Sequence, residues 1–470
     1  MSTRTVTPFG LYAVMAVLTL TEALSSLEHT MIYAALPSIS REYGLMSFGW
    51  LVSIFLLVQA STAVIGARLG DIYGRRRLLS ILVAICLVGS LISGFSSDFR
   101  LIILGRALQG ASGAILPLCY SLAKQTSPPK SAPFWIGVLT GGYTIASAAG
   151  YFLGGYLSDN GSWRDIFILS ACYAACLLVL IRIVLPGDTV ARQVDRLDLL
   201  GGILFVPGIV AILYGLTLGA DLGWTSPATI GLIVTGIAIL AMWAWYEWRI
   251  EQPLINVRLF REPKILLGNV IGALASLGIM QLPLIFMNLL QQPDATGVGF
   301  GLSATIAGLF KVPSNFLSFG AAMFAGYICV RKGGATGLLW GGLLAIACWS
   351  LLIFGLHDLW ITVLCMIGCS LASTIVLASL PNLLLEVAPD DRLSEVAGLS
   401  STIRGMFSAV GSQIVILMLA STQIGGPAGK SYPTEAAYLQ TITYVIIGSI
   451  ILTSVSFLLA RNRVAGSATA

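Results

Sequence analysis

Three ionisable residues lie where the surrounding chain is apolar. The stretch "TEALSSLEHTMIYAALPSI", residues 21–39, carries Glu22, Glu28 and His29 inside a long apolar run. A charge at the middle of a bilayer costs at least ~2.5–3.5 kcal/mol on insertion scales. Wound as a helix at about 100° per residue, Glu22, Ser26, His29 and Tyr33 form one stripe. Thr21, Ser25 and Glu28 flank it, and Leu20, Leu24, Leu27 and Met31 lie opposite. The polar groups face one way, as they would toward a water-filled cavity. A carboxyl partly shielded from water there can take and release a proton in the working pH range. Glu28 is the first candidate for that chemistry and Glu22 the second. The plain alternative is that one of them only neutralises a neighbouring arginine. His29 either lines the cavity with Tyr33 or is a satisfied interior histidine.

A second polar stripe joins Arg106, Gln109, Gly110 and Gly113 at i, i+3, i+4 and i+7. Facing a cavity, Arg106 favours the ionised form of a close carboxylate and loses that influence when distant, which would couple protonation to conformation. A fixed packing salt bridge is the alternative. Farther along, Ala304, Ala307, Lys311, Asn315, Ser318 and Ala322 share a face, and Gln281, Asn288 and Gln292 share another. Arg404 stands among Ser400, Ser401 and Ser408. These read as walls of a substrate cavity, with Lys311 suited to an anionic group. Interhelical hydrogen bonding accounts equally well for the Asn and Gln residues.

The elements that would position these groups are long apolar helices. The chain has 470 residues, 57% hydrophobic and 10% charged, with mean hydropathy +0.90. A soluble domain carries about 25% charged residues, so this is a polytopic membrane chain. A spanning helix needs about 20 apolar residues. Fourteen such runs occur, near 9–37, 47–70, 78–96, 100–123, 133–157, 164–186, 198–219, 228–248, 265–290, 302–330, 336–356, 359–386, 395–421 and 436–460. Closely spaced runs of this length exclude an outer-membrane barrel pattern. The first run is too long for a cleavable signal and reads as an uncleaved span. The eight cysteines fall in or beside the runs and read as small core residues; with only His29 and His357 available, no metal site is expected.

Charge sets the expected orientation. With the N-terminus inside, nineteen of the 26 Lys and Arg residues fall on the cytoplasmic side. Arg41, Arg100, Arg164 and Lys430 fall outside, and Arg106, Lys311 and Arg404 lie within spans. Both termini are therefore expected inside, and the net charge of +5 is no sign of nucleic-acid binding.

The loop "ARLGDIYGRRRLL" (67–79) is echoed by "GYICVRKG" (326–333), each with small residues, a fixed Gly and adjacent basic residues. Repeated halves are common in secondary transporters. The repeat divides the chain into a first half, 1–190, two inserted spans with linkers, 191–262, and a second half, 263–470. Asp71, Gly74, Arg75 and Arg76 fall in the first copy of the loop. Positive-inside anchoring explains part of its arginine run.

Several segments together resemble the major facilitator superfamily, and most nearly its fourteen-span drug:proton antiporters. They are "LEHTMIYAALPSI" (27–39, with Glu28 where an Asp is usual), "ARLGDIYGRRR" (67–77), "LGRALQGASGA" (104–114), "GYFLGGYL" (150–157) with "SWRDIF" (162–167), and "STIRGMFSAVGSQI" (401–414). Ala67 and Ile72 depart from the loop motif, and Gly150-Tyr151 replaces the antiporter Gly-Pro. Gly141, Gly142, Gly150, Gly154 and Gly155 make the fifth span thin on one side, while Tyr151 either offers a hydroxyl to the cavity or fills space.

The resemblance implies an all-α fold of two six-helix halves around a cavity, with two extra helices between them. It implies that Asp71 closes the cytoplasmic side against the N-terminus of a second-half helix, helped by the helix dipole. The expected activity is proton-coupled transport of a small organic molecule, by export in exchange for protons. Proton-coupled import of an organic anion is the alternative, favoured by Lys311 and Tyr151; a non-transporting membrane receptor or scaffold is the alternative of another class. The expected setting is the cell membrane and the expected state a monomer. Its partners are the small-molecule substrate, protons and the bilayer, with no cofactor, no enzymatic reaction and no nucleic acid. No phosphate-cradling Gly-Lys-Ser loop occurs, so ATP is not expected to drive transport.

Overall fold

The computed structural model describes residues 8–128, 131–188, 199–250, 257–385, 393–425 and 431–467. Arg4, Lys130, Arg192, Arg196, Arg392 and Lys430, which entered the orientation argument, lie outside these residues. So does the expected boundary at 190/191.

Every apolar run becomes helix. In the first half these are α1 (Pro8–Ala34), α3 (Leu45–Tyr73), α4 (Arg75–Phe95), α5 (Phe99–Gln109) continued by α6 (Ile115–Thr126), α7 (Ala132–Asn160) and α8 (Asp165–Val184). The inserted pair is α9 (Leu199–Leu222) and α10 (Pro227–Arg249). The second half has α11 (Pro263–Leu277) continued by α12 (Leu282–Gln291), α13 (Ala304–Lys332), α14 (Gly334–Phe354), α15 (Leu359–Leu385), α16 (Leu393–Ala420) and α17 (Glu435–Ser467). Among the described residues, twelve spans are long and apolar enough to cross a membrane, with shorter apolar stretches at Gly49–Ala63 in α3 and Val206–Gly219 in α9. Large apolar side chains such as Val330 (87% exposed) and Phe354 (86%) point outward, as they do toward lipid.

Smaller elements depart from the expected runs. A short helix, α2 (Leu36–Tyr43), follows α1 where Pro37 in its first turn starts a new helix. A two-stranded hairpin, β1 (Gln423–Gly425) with β2 (Ser431–Pro433), joins α16 to α17. Cys172 and Cys176 are exposed on α8 rather than packed in the core, because their i, i+4 face turns away from the bundle.

The two halves repeat one packing scheme. α4 lies on α8 as α14 lies on α17, and α1 lies on α7 as α11 lies on α16. They meet in two reciprocal seams, α7 with α13 and α3 with α16. The inserted α9 packs on α10, and also on α3 and α16 where the halves join. There Gln413 Nε2 donates to Thr217 Oγ1 at 3.0 Å. The repeated loop has a backbone counterpart: Gly74 (φ +96°) and Gly333 (φ +88°) occupy equivalent tight connections, α3 to α4 and α13 to α14. A side chain is strained at such φ, which accounts for the fixed Gly.

Candidate functional site

The site centres on two broken spans. The fourth is interrupted by a 3-10 turn at Gly110–Ala114. Its small residues let it lie against α3. A Cβ at Gly110 would stand 2.7 Å from Val58 Cβ and 2.8 Å from Phe55 O, and one at Gly113 would strike the Gln59 backbone. The R-x-x-Q-G-x-x-x-A spacing is thus a packing requirement that also aims Arg106 and Gln109 inward. The span formed by α11 and α12 breaks at Gly278–Gln281, where Gln281 Nε2 donates to Ser276 O (2.7 Å) and Ser408 O (3.1 Å). Gln281 therefore repairs a helix break, satisfying a carbonyl that the interrupted ladder leaves over. Discontinuous spans of this kind mark binding sites in transporters.

Arg106 is 1% exposed. Its Nε donates to Leu51 O (3.3 Å), and its Nη1 to Glu28 O (3.2 Å) and Gln109 Oε1 (2.8 Å). The guanidinium sits 4.2 Å over the Phe55 ring, a cation–π contact that offsets burial. Gln109 Nε2 donates to Ser90 Oγ (2.7 Å), and Ser90 donates to Glu28 Oε1 (3.3 Å). Glu28 is 2% exposed, and its Oε2 has no hydrogen-bond partner. Arg106 Nη2 has none either. Acid and base are thus held in one buried cluster, linked through Gln109 and Ser90 rather than by a direct ion pair.

Glu28 is turned toward α4 and α5, inside the first half. His29 and Tyr33 take another direction. His29 Nε2 lies 3.3 Å from Tyr33 Oη, and the His29 ring stacks on Phe55 at 5.8 Å. Tyr33 stacks on Tyr151 of α7 at 6.4 Å between centroids. Glu22, 1% exposed with an unpartnered Oε2, lies nearly two turns before Glu28 along α1 and does not join the Arg106 cluster.

Lys311 is 4% exposed about two turns into α13; its ammonium donates to Ser370 Oγ of α15 and lies 6.0 Å from the Tyr151 ring centroid. Neither Glu22 nor Glu28 reaches it: among the described residues, the ion pairs within 4.0 Å are Arg164–Glu42 and His357–Glu435. Tyr151 thus fills the space between α1 and α13 with its ring under a cation. Asn315 Nδ2 donates to Ser147 Oγ of α7 at 3.4 Å. Asn288 is 5% exposed with an unpartnered Nδ2. Arg404 is half-buried, with its Nε unpartnered.

The fifth-span glycines divide by position. Gly142, Gly150 and Gly154 leave room for Thr19, Thr30 and Met31 of α1, and Gly155 for the backbone of Ala304. Gly141, expected among them, has nothing within 4 Å of a Cβ because it faces away from α1. Where α7 ends, Asp159 accepts from Ala304 N (3.1 Å), Thr305 N (2.7 Å) and Thr305 Oγ1 (2.6 Å) of α13. Gln291 Nε2 of α12 donates to Ala34 O (3.2 Å) at the same end. Nearby, Arg164 bridges to Glu42 at 2.7 Å and Trp163 Nε1 donates to Glu42 Oε2 (2.7 Å). Arg164, hydrogen-bonded to Glu42, holds that carboxyl below the usual range.

At the opposite end, the side chain of Asp71 lies outside the described residues. Gly74 admits Asp188, whose carboxylate accepts from Arg76 N (2.8 Å) and Arg77 N (3.0 Å) at the start of α4. Three arginines in the first turn oppose the helix dipole by about 0.3–1 kcal/mol each, and this carboxylate offsets them. Arg75 Nη1 donates to Ser121 O (3.2 Å) and Gln125 Oε1 (3.3 Å) at the end of α6. Sequence reasoning missed Asp159 and Asp188; the available signal was a single Asp just beyond a span and near a Gly. Ser90 and Ser370, which receive or pass the key hydrogen bonds, carry no signal in an apolar helix.

The arrangement is that of a multi-pass transport protein: two repeated half-bundles, broken spans and buried unpaired ionisable groups. The family description "Major Facilitator Superfamily" matches residues 18–197. The chain is 26% identical over 400 residues to "Multidrug resistance protein Stp" of Mycobacterium tuberculosis, covering 84% of this chain and 73% of that one. It is 24% identical over 406 residues to the "Tetracenomycin C resistance and export protein" of Streptomyces glaucescens, with the same shares. The fold is similar to the inward-facing structure of a bacterial homologue of the human lysosomal transporter Spinster. There the TM-score is 0.64 and the identity 15%, over 97% of this chain and 98% of that one. Residues 18–197 thus match the major facilitator superfamily, and the chain is similar to membrane transport proteins rather than to enzymes.

Proposed function

We propose that this protein exports a small organic molecule from the cell in exchange for protons. In this reading it is a monomer of fourteen spans in the cell membrane with both termini cytoplasmic, and the Asp159 end of α7 faces outside. The carrying observation is Glu28: fully buried, with one carboxylate oxygen unpartnered, in a hydrogen-bonded cluster with Arg106 but not ion-paired to it. A protonated Glu28 suits that environment. An ionised one calls for Arg106 to turn its own unpartnered Nη2 toward it. That change moves Phe55, and with it His29 and Tyr33, so protonation reaches the cavity wall. The expected substrate contacts are Lys311, Asn315, Asn288, Tyr33, His29, Tyr151 and Arg404. Gln281 supports the wall through its helix break. Export is favoured over import by the names of the two relatives, a multidrug resistance protein and an export protein.

Proton-coupled import of an organic anion is kept as a second reading because Lys311 has no acid partner among the described residues. Flux in proteoliposomes under an imposed pH gradient tests both. Substrate movement against the proton flow supports exchange, movement with it supports import, and none at all supports a receptor or scaffold.

A further inference from the structure

At the arginine-rich end of the first half, a cleft of about 630 Å³ opens between the start of α4 and the end of α8. One end of it is polar, lined by Arg76, Arg77, Arg182 and Asp188. Asp188 is engaged by the α4 backbone, and Arg76 Nη2 donates to Arg182 O at 2.6 Å, so these two side chains tie α4 to α8. Arg77 and Arg182 remain exposed at the rim. The other end is apolar, lined by Ile81, Ala84 and Leu178. Ile81 is 45% exposed, and the strip continues to Val88 at 50%.

Arg77, Ile81, Ala84 and Val88 are spaced by four, three and four residues, so they share one face of α4. From Arg77 to Val88 the helix rises roughly 16 Å, close to half of a hydrocarbon core of about 30 Å. A cationic rim therefore stands at the head of an apolar trough one leaflet deep.

We propose that this cleft binds a single anionic phospholipid, with the phosphate between Arg77 and Arg182 and an acyl chain along Ile81, Ala84 and Val88. Three guanidinium groups against one carboxylate leave the polar end cationic, which selects an anionic headgroup over a zwitterionic one. The trough selects a lipid over free phosphate. General attraction of basic loops to a membrane surface would give neither a fixed stoichiometry nor dependence on two named residues.

The test is native mass spectrometry of the full chain in detergent, with phosphatidylglycerol, phosphatidylcholine or inorganic phosphate added. One phosphatidylglycerol should be retained in preference to phosphatidylcholine, and phosphate should not bind. Each arginine near a lipid surface is worth about a fivefold change in affinity, so Arg77→Gln with Arg182→Gln should weaken retention roughly 30-fold. The single variants, each about fivefold weaker, decide the matter if the double variant does not purify intact. Equal retention of the two lipids, unchanged retention in the variants, or binding of inorganic phosphate alone would overturn the proposal.

Discussion

Removing the Asp159 carboxylate should loosen the contact between the halves at the end where α7 meets α13. Three donors from the start of α13 converge on it, at 3.1, 2.7 and 2.6 Å. A hydrogen bond to a charged group is worth about 1.5–3 kcal/mol when shielded from water. Asp159 is exposed, so solvent screening cuts this sharply. Ser303 Oγ still caps Ile306 N at 3.3 Å after the change, so α13 keeps its start. A net loss of roughly 1–2 kcal/mol for all three bonds follows, equivalent to about a 5–30-fold shift toward conformations open at this end. Asp159→Asn should fall between the wild type and Asp159→Ala, because an amide oxygen accepts but carries no charge. The assay is a spin-label distance measurement between Cys substituted at the exposed positions Arg100 and Gln423, one on each half. A longer-distance population should grow in Asp159→Ala. An unchanged distribution, with unchanged thermal stability, would show that Asp159 caps α13 without holding the halves together.

Glu28→Gln should abolish uphill transport driven by a pH gradient while leaving substrate counterflow intact; full uphill transport by the variant would remove Glu28 from proton coupling. Lys311→Ala should raise the apparent KM for anionic substrates and spare neutral ones, measured by competition in proteoliposomes, and unchanged kinetics for both classes would make the residue structural. Glu42 is held below its ordinary value of 4.5 by Arg164, so its stabilising effect is present above that pH and is lost as pH falls through the lower folded value. With side chains 41% and 24% exposed, the pair contributes at most about 1 kcal/mol. Glu42→Gln should therefore lower the melting temperature by about a degree near neutral pH and by progressively less as the pH falls below 4.5, and a loss that does not change with pH would point to packing alone.

The amino-acid sequence dictates the helices. Hydrophobic runs of membrane length force each segment to satisfy its own backbone hydrogen bonds, so every expected run became a helix, and Gly74 and Gly333 marked the repeat through a φ that side chains resist. It also placed Glu28, Arg106 and Lys311 in the interior, because a charge in an apolar run must face away from lipid. Direction and partner were decided only by tertiary structure. A helical wheel put Glu28 beside His29 and Tyr33, yet Glu28 meets Ser90 and the Arg106 cluster while Tyr33 meets Tyr151, since neighbours on one helix flank can contact different helices. The breaks at Gly110–Ala114 and Gly278–Gln281 were hidden, because a 3-10 turn inside an apolar run leaves the hydropathy unchanged. Asp159 and Asp188 acquire their roles from amides 145 and 112 residues distant along the chain. No local pattern encodes such a pairing: a carboxylate accepts from whichever helix start the packing of the halves brings to it.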